Sequence, residues 1–325
     1  MTRPTPKKLS DLQKRILSLK KERKALILAH NYQPLEIQQI ADFVGDSLQL
    51  AQKSADVKGY EMVVFAGVRF MAEMAAVLSD GLPVYIPAPD ALCPLAAWVT
   101  PEKIRQRKKE YPGAPVVLYV NTTAEAKAEA DIICTSGNAA QVVKSLGAET
   151  VLFGPDKNLA EYVRQKTGVK IVDIEPKGNC FVHHQFTVAQ LEELRKKHPD
   201  ATVIVHPECP PDVQAAADLV GSTGMMVKTV AASSQREFII ATELGLIQQL
   251  QEAHPDKVII PAYIGAVCKQ MKKTTLEKIA RVLEDLPEEN LVTVPDHLRE
   301  RLHVLLDRMN RIPVSGPVQS VVTVH

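Results

Sequence analysis

The strongest constraint on this fold is a threefold internal repeat. ALILAHNYQ followed by IADFVGDS (Ala25 to Ser47), PVVLYVNTT followed by EADIICTS (Pro115 to Ser136), and TVIVHPECP followed by AADLVGST (Thr202 to Thr223) align without gaps at their starts. Each opens with a short apolar run ending at His30, Tyr119 or His206, positions 89 and 87 residues apart. Each then reaches an Ala-Asp pair, at Ala41-Asp42, Ala130-Asp131 and Ala217-Asp218. A second apolar run follows at Met62–Ala66, Thr150–Gly154 and Glu237–Ala241, and a third at Pro83–Ile86, Lys170–Ile174 and Lys257–Ile260. Thr100, Thr187 and Thr275 then stand where a helix N-cap is expected. The spacing of Ile37, Ile40, Ala41, Val44, and of Val213, Ala216, Ala217, Val220, predicts helices between the first two runs.

Short continuous apolar runs alternating with helices indicate parallel sheets covered on both faces. The period is too long for a solenoid. The chain is therefore expected to be α/β: three homologous three-layer α/β/α domains around a pseudo-threefold axis. The expected boundaries are residues 1–113 with an N-terminal helix, 114–201, and 202–325 with a C-terminal helix and tail. The outer helices, Ser10–Lys24 and Asp296–Met309, are expected to cover exposed sheet edges. The tail Pro313–His325 receives no functional reading.

Net charge is +1 over 325 residues, so nothing pulls the chain in bulk toward nucleic acid or membrane. No apolar run reaches the length of a spanning helix, and the basic stretch Met1 to Lys24 lacks the apolar core of a signal peptide. Five cysteines in a chain of this size do not make a disulfide framework. The expectation is a cytoplasmic enzyme acting on small molecules.

In parallel α/β sheets, ligands bind beyond the carboxyl ends of the strands. The first run of each repeat ends in a different polar group: His30-Asn31-Tyr32, Tyr119-Val120-Asn121 and His206-Pro207-Glu208. Any one of these could merely pack a strand end, but all three at one register favour a shared site. Cys93, Cys180 and Cys268 are spaced by 87 and 88 residues, the period of the repeat, and each lies just past the third run. Three related domains would aim these thiols at one point. Cys134 replaces Gly45 and Gly221 of the sister repeats, and Cys209 has no counterpart; both read as packing residues. Converging thiolates suit zinc, with His183 as a fourth ligand, or an iron–sulfur cluster with one iron left open. Three loops rich in small and hydroxylated residues, Gly45-Asp46-Ser47, Cys134 to Asn138 and Gly221 to Met226, each precede an expected helix and suit carboxylate or phosphate.

The motifs AHNYQ…ADFVGDSLQLA, YVNTTAE.K..AD.ICTSGNA, HPECPP.V…AD.VGST and MKKTTLEKI, with the three register cysteines, resemble the quinolinate synthase family over roughly residues 25 to 310. The resemblance implies condensation of iminoaspartate with dihydroxyacetone phosphate to quinolinate, with loss of phosphate and two waters, in NAD biosynthesis. It implies a [4Fe-4S] cluster on Cys93, Cys180 and Cys268 whose open iron assists dehydration. It implies substrate contacts at His30, Ser47, Tyr119, Asn121, Ser136, His206, Glu208 and Thr223, and catalytic roles for Tyr32, Glu208 and His183. An enzyme supplying the imine would be a partner. The chain departs from the family pattern at Arg69, Pro94 and Phe181, which bears only on fine geometry around the cluster. Two rivals stand beside this reading: a zinc-dependent lyase with a Cys3His site, and a non-enzymatic protein that clasps an anion.

Overall fold

The computed structural model describes residues 9–313; the first eight residues and the tail beyond Pro313 lie outside the described residues. The chain forms three four-stranded parallel sheets. The first sheet holds β1 (Ala25–His30), β2 (Phe43–Gly45), β3 (Met62–Ala66) and β4 (Val84–Tyr85). The second holds β5 (Val116–Tyr119), β6 (Ile132–Cys134), β7 (Thr150–Gly154) and β8 (Lys170–Asp173). The third holds β9 (Thr202–Val205), β10 (Leu219–Val220), β11 (Glu237–Ala241) and β12 (Val258–Pro261).

All three sheets share one strand order, β2-β1-β3-β4 and its equivalents. The chain crosses to one side of β1 to form β2, then to the other side to form β3. That reversal opens a crevice at the carboxyl end of the central pair, where α/β sheets bind ligands. His30 ends β1, Tyr119 ends β5, and His206 follows β9 directly. Every residue of these three strands is buried, which explains their unbroken apolar character.

The recurrent Ala-Asp pair has a structural cause. Asp42 donates its backbone N–H to the Ile27 carbonyl, and its carboxylate accepts from Ile27 N–H at 2.9 Å. Asp131 does the same with Val116, at 2.7 Å, and Asp218 with Val203, at 2.7 Å. Each aspartate thus ties the start of the second strand to the first, through a hydrogen bond to a charged group of about 1.5–3 kcal/mol.

The second strand of each sheet was not foreseen. The expected helices are present but short, Leu35–Ile40 and Pro211–Ala215, and the last position of each spacing, Val44 or Val220, lies instead in β2 or β10. A helical spacing over so short a span does not mark where the helix ends and a following strand begins. Thr100, Thr187 and Thr275 do cap helices, Pro101–Glu110, Val188–Lys197 and Leu276–Asp285.

Each of these helices packs on the next sheet rather than its own. Lys103 and Arg107 of Pro101–Glu110 bond to Glu175 and the Ile174 carbonyl beside the second sheet. Leu191 of Val188–Lys197 packs with Val203, Val205 and Ile239 of the third. Ile279, Ala280 and Leu283 of Leu276–Asp285 close the ring on Ile27, Ala29 and Val64 of the first. The opening helix, Asp11–Glu22, covers a face of the first sheet beside Leu276–Asp285, rather than an edge. The last helix, Asp296–Arg311, does reach an edge strand, β6, where Met309 O accepts from Asn138 Nδ2 at 3.3 Å. No helix among the described residues is long and apolar enough to cross a membrane.

Candidate active site

The three crevices open into one cavity of about 70 Å³. Its lining includes His30, Tyr32, Ser47, Cys93, Tyr119, Asn121, Ser136, Cys180, His183, His206, Glu208, Thr223 and Cys268, so the fold brings all the sequence-derived candidates together. Cys134 and Cys209 are fully buried apart from it.

The cysteine register follows from backbone geometry. The first N–H of the helix after β3, at Arg69, donates to Ala91 O at 2.9 Å; Lys157 donates to Gly178 O at 2.8 Å, and Leu244 to Ala266 O at 2.9 Å. Each cysteine stands two residues beyond the accepting carbonyl. At Gly178 a side chain is excluded, because a Cβ would meet Pro155 O at 2.0 Å.

Burial, more than any neighbouring charge, sets the state of the three thiols. Burial, then the neighbouring Cys268 and Glu208, push the Cys93 thiol up to about 12. Burial and Glu208 raise Cys180, with a further contribution from Cys93; burial and Glu243 raise Cys268. Such a set favours a group that brings positive charge, as a metal or an iron–sulfur cluster does. Cys180, His183 and Glu208 also converge, with one ligand atom from each lying within 4.8 Å of the others.

Beside the thiols runs a polar chain of consistent direction. Tyr32 OH lies 2.7 Å from Thr242 Oγ1, and Thr242 Oγ1 lies 3.0 Å from His183 Nε2. His183 Nδ1 lies 2.7 Å from Glu208 Oε2. A protonated Nδ1 donates to the carboxylate, leaving Nε2 to accept from Thr242, whose oxygen in turn accepts from Tyr32. His206 stacks on His183 with ring centroids 4.3 Å apart, and its Nδ1 lies 3.3 Å from the Glu208 carboxylate and from the Glu208 backbone N–H.

Burial opposes charge on Glu208, but His183 and His206 outweigh it and hold the carboxyl below its ordinary range. Its Oε1 is buried without a hydrogen-bond partner. Burial and the nearby Glu208 keep the Tyr32 phenol protonated well above its ordinary range. Burial, His206 and Lys272 bring His30 down to about 3, so it is neutral at physiological pH.

No Lys or Arg lines the cavity among the described residues. An anion there must be held by hydroxyls and amides. Ser47 and Thr223 are the first residues of helices Ser47–Ser54 and Thr223–Ala232. Ser136 instead sits in a turn, because Asn138 caps that turn through Thr135 N–H at 2.8 Å and the helix Ala139–Ser145 begins after it. The expected anion loop at Asp46 has a second occupation. Its carboxylate caps its own helix through Gln49 N–H at 2.9 Å and accepts from Gly224 N–H at 3.2 Å, joining the first and third repeats.

The three departures leave the lining intact. Arg69 turns to Glu73 at 3.2 Å, Pro94 opens a short turn of helix, and Phe181 is exposed. Thr242 was missed in the sequence, as were Asp156 and Glu243. All three follow the second long strand of a repeat, and the equivalent positions of the first repeat, Gly67 and Val68, carry no polar group, so no threefold signal marks them.

A family profile described as Quinolinate synthetase A protein matches residues 14–311. The chain is 48% identical to a quinolinate synthase of Methanothermobacter thermautotrophicus over 94% of this chain and 99% of that protein. It is 46% identical to one of Pyrococcus furiosus over 93% and 98% of the two chains, and 51% identical to one of Thermotoga maritima over 83% and 89%. The repeat, the convergent thiols and these matches agree: the chain belongs to the quinolinate synthetase A family of enzymes.

Proposed function

We propose that this chain condenses iminoaspartate with dihydroxyacetone phosphate to give quinolinate, phosphate and two waters. The observation that carries the proposal is the meeting of three repeat-related thiols with the Tyr32–Thr242–His183–Glu208 chain at one cavity. Cys93, Cys180 and Cys268 would hold a [4Fe-4S] cluster, which supplies Lewis acidity for loss of water when bound.

The protein's own groups account for binding and proton traffic. Glu208 is a base whose Oε2 is engaged by His183 while Oε1 remains available to take a substrate proton. When the Tyr32 phenol gives its proton to substrate, the chain must run in the opposite sense, with protonated Glu208 donating to His183 Nδ1, His183 Nε2–H to Thr242 and Thr242 to Tyr32, which returns the proton that Glu208 took and leaves the resting arrangement. Neutral His30 and the Asn121 amide serve as hydrogen-bond partners for carboxylate or carbonyl oxygens. Ser47, Ser136 and Thr223 hold the phosphate and carboxylates with their hydroxyls, while the helix N-termini at Ser47 and Thr223 are already engaged by the Asp46 carboxylate. A zinc site using His183 as ligand would take the same Nδ1 that engages Glu208 and break this chain.

The test is anaerobic purification with metal, sulfide and quinolinate analysis. The proposal expects about four irons and four sulfides per chain and quinolinate formed from the two substrates. About one zinc and no quinolinate, after attempted cluster reconstitution, would sink it.

A further inference from the structure

Two buried carboxylates near the cavity have no part in the chemistry above, Asp156 and Glu243. Both are 0% exposed and both cap the helix that follows the second long strand of their repeat. Asp156 Oδ1 accepts from Leu159 N–H at 2.8 Å, while Oδ2 accepts from the backbone N–H of Cys180 at 2.8 Å. Glu243 Oε2 accepts from Gly245 N–H at 2.6 Å, while Oε1 accepts from the backbone N–H of Cys268 at 3.1 Å. The same construction thus occurs twice. In the first repeat Val68 holds the corresponding cap position, and its side chain offers no acceptor to the Cys93 backbone.

Each construction also reaches the next repeat. Asn158, two residues past Asp156, donates to Glu208 O at 2.9 Å. Lys272 pairs with Glu243 at 2.9 Å and donates to the Tyr32 carbonyl. The backbone of a cysteine and the backbone of a proposed catalytic residue are therefore fastened to one cap.

We propose that Asp156 and Glu243 are positioning residues that clamp the Cys180 and Cys268 loops for cluster binding, leaving the Cys93 loop as the arm without a carboxylate clamp, tied instead through Leu92 N–H to Gln270 Oε1 at 3.2 Å and through Lys273 to Asp90. The inference rests on the cluster reading given above. A carboxylate is required because two N–H donors must be met by two acceptor oxygens. The isosteric amide turns one of those oxygens into an NH2 group facing a donor.

The experiment uses the full chain with Asp156→Asn and Glu243→Gln, each reconstituted anaerobically with iron and sulfide. Iron release to a chelator is followed by visible absorbance, at a temperature where circular dichroism shows the chain folded. Each variant is expected to release iron on the order of tenfold faster than wild type, the effect of one lost hydrogen bond to a charged group.

Residue-resolved amide exchange on the cluster-free chain separates clamping from general loosening. Asp156→Asn should speed exchange at Cys180 and leave Cys268 unchanged, with the reverse pattern for Glu243→Gln. The wild-type chain alone provides a further check, since its Cys180 and Cys268 amides should exchange more slowly than that of Cys93. Release rates equal to wild type, or exchange that rises at all three cysteines together, would overturn the proposal. A wild-type chain that takes up no iron and sulfide would instead overturn the reading on which it rests.

Discussion

Replacing Thr242 by valine tests the proton chain at its least obvious link. Valine keeps the shape of threonine but puts a methyl group where Oγ1 meets Tyr32 OH at 2.7 Å and His183 Nε2 at 3.0 Å. Leaving one buried polar group unpaired costs about 1–3 kcal/mol. Two groups lose a partner here, but Tyr32 OH and His183 Nε2 already lie 3.4 Å apart and can close into a direct hydrogen bond. The net loss is therefore nearer one such cost than two. If the chain carries the proton in the transition state, about 1–3 kcal/mol corresponds to a fall in kcat of about 5- to 150-fold. The assay is quinolinate formation under single-turnover conditions across a pH series, with iron content measured in parallel. Thr242→Ser should recover most of the rate, because it restores the hydroxyl, whereas Thr242→Val should retain the cluster and lose rate. A valine variant with wild-type rate and an unchanged pH profile would refute the relay.

Glu208→Gln should keep the iron and sulfide yet lower the rate by roughly 10²–10⁴-fold, the range of general base catalysis; persisting activity would remove Glu208 from that role. His30 has a folded-state pKa of about 3 against an ordinary 6.5, so the unfolded chain binds the extra proton between those values. Stability should be fully present above about pH 6.5 and be lost as pH falls toward about 3. Denaturant titrations of His30→Asn should show a shallower fall across that window, and an identical slope would assign the acid sensitivity elsewhere. Gly178→Ala drives a Cβ against Pro155 O, so it should displace the Cys180 loop and reduce iron content; a variant with full iron would show that the loop adapts. Asp131→Ala should lower stability by about 1–3 kcal/mol in urea unfolding while leaving the cavity residues untouched. Loss of activity without loss of stability would contradict its strand-pairing role.

The sequence by itself determined the class of fold, the threefold plan and the membership of the cavity. Each of these is written in local, repeated signals. Fully buried strands demand unbroken apolar runs, Thr100, Thr187 and Thr275 cap helices in place, and a cysteine recurs with the repeat because each loop is pinned by the same backbone hydrogen bond. His30, Tyr119 and His206 were legible because the carboxyl end of a central strand is where such sheets leave room for a ligand.

What only the tertiary structure decided involves partners far apart in the chain. The direction of the Tyr32–Thr242–His183–Glu208 chain depends on four side chains from three repeats meeting within hydrogen-bond distance, and no spacing encodes that. The short strands β2, β6 and β10 owe their state to pairing with β1, β5 and β9, not to their own two or three residues. The handing of each last helix to the next sheet, and the use of Asp46 to join the first repeat to the third, likewise follow from closure of the ring. Local sequence specifies the units, because backbone hydrogen bonding and burial period act over a few residues. Their mutual contacts specify the chemistry, because proton transfer and metal ligation require distances that only packing can set.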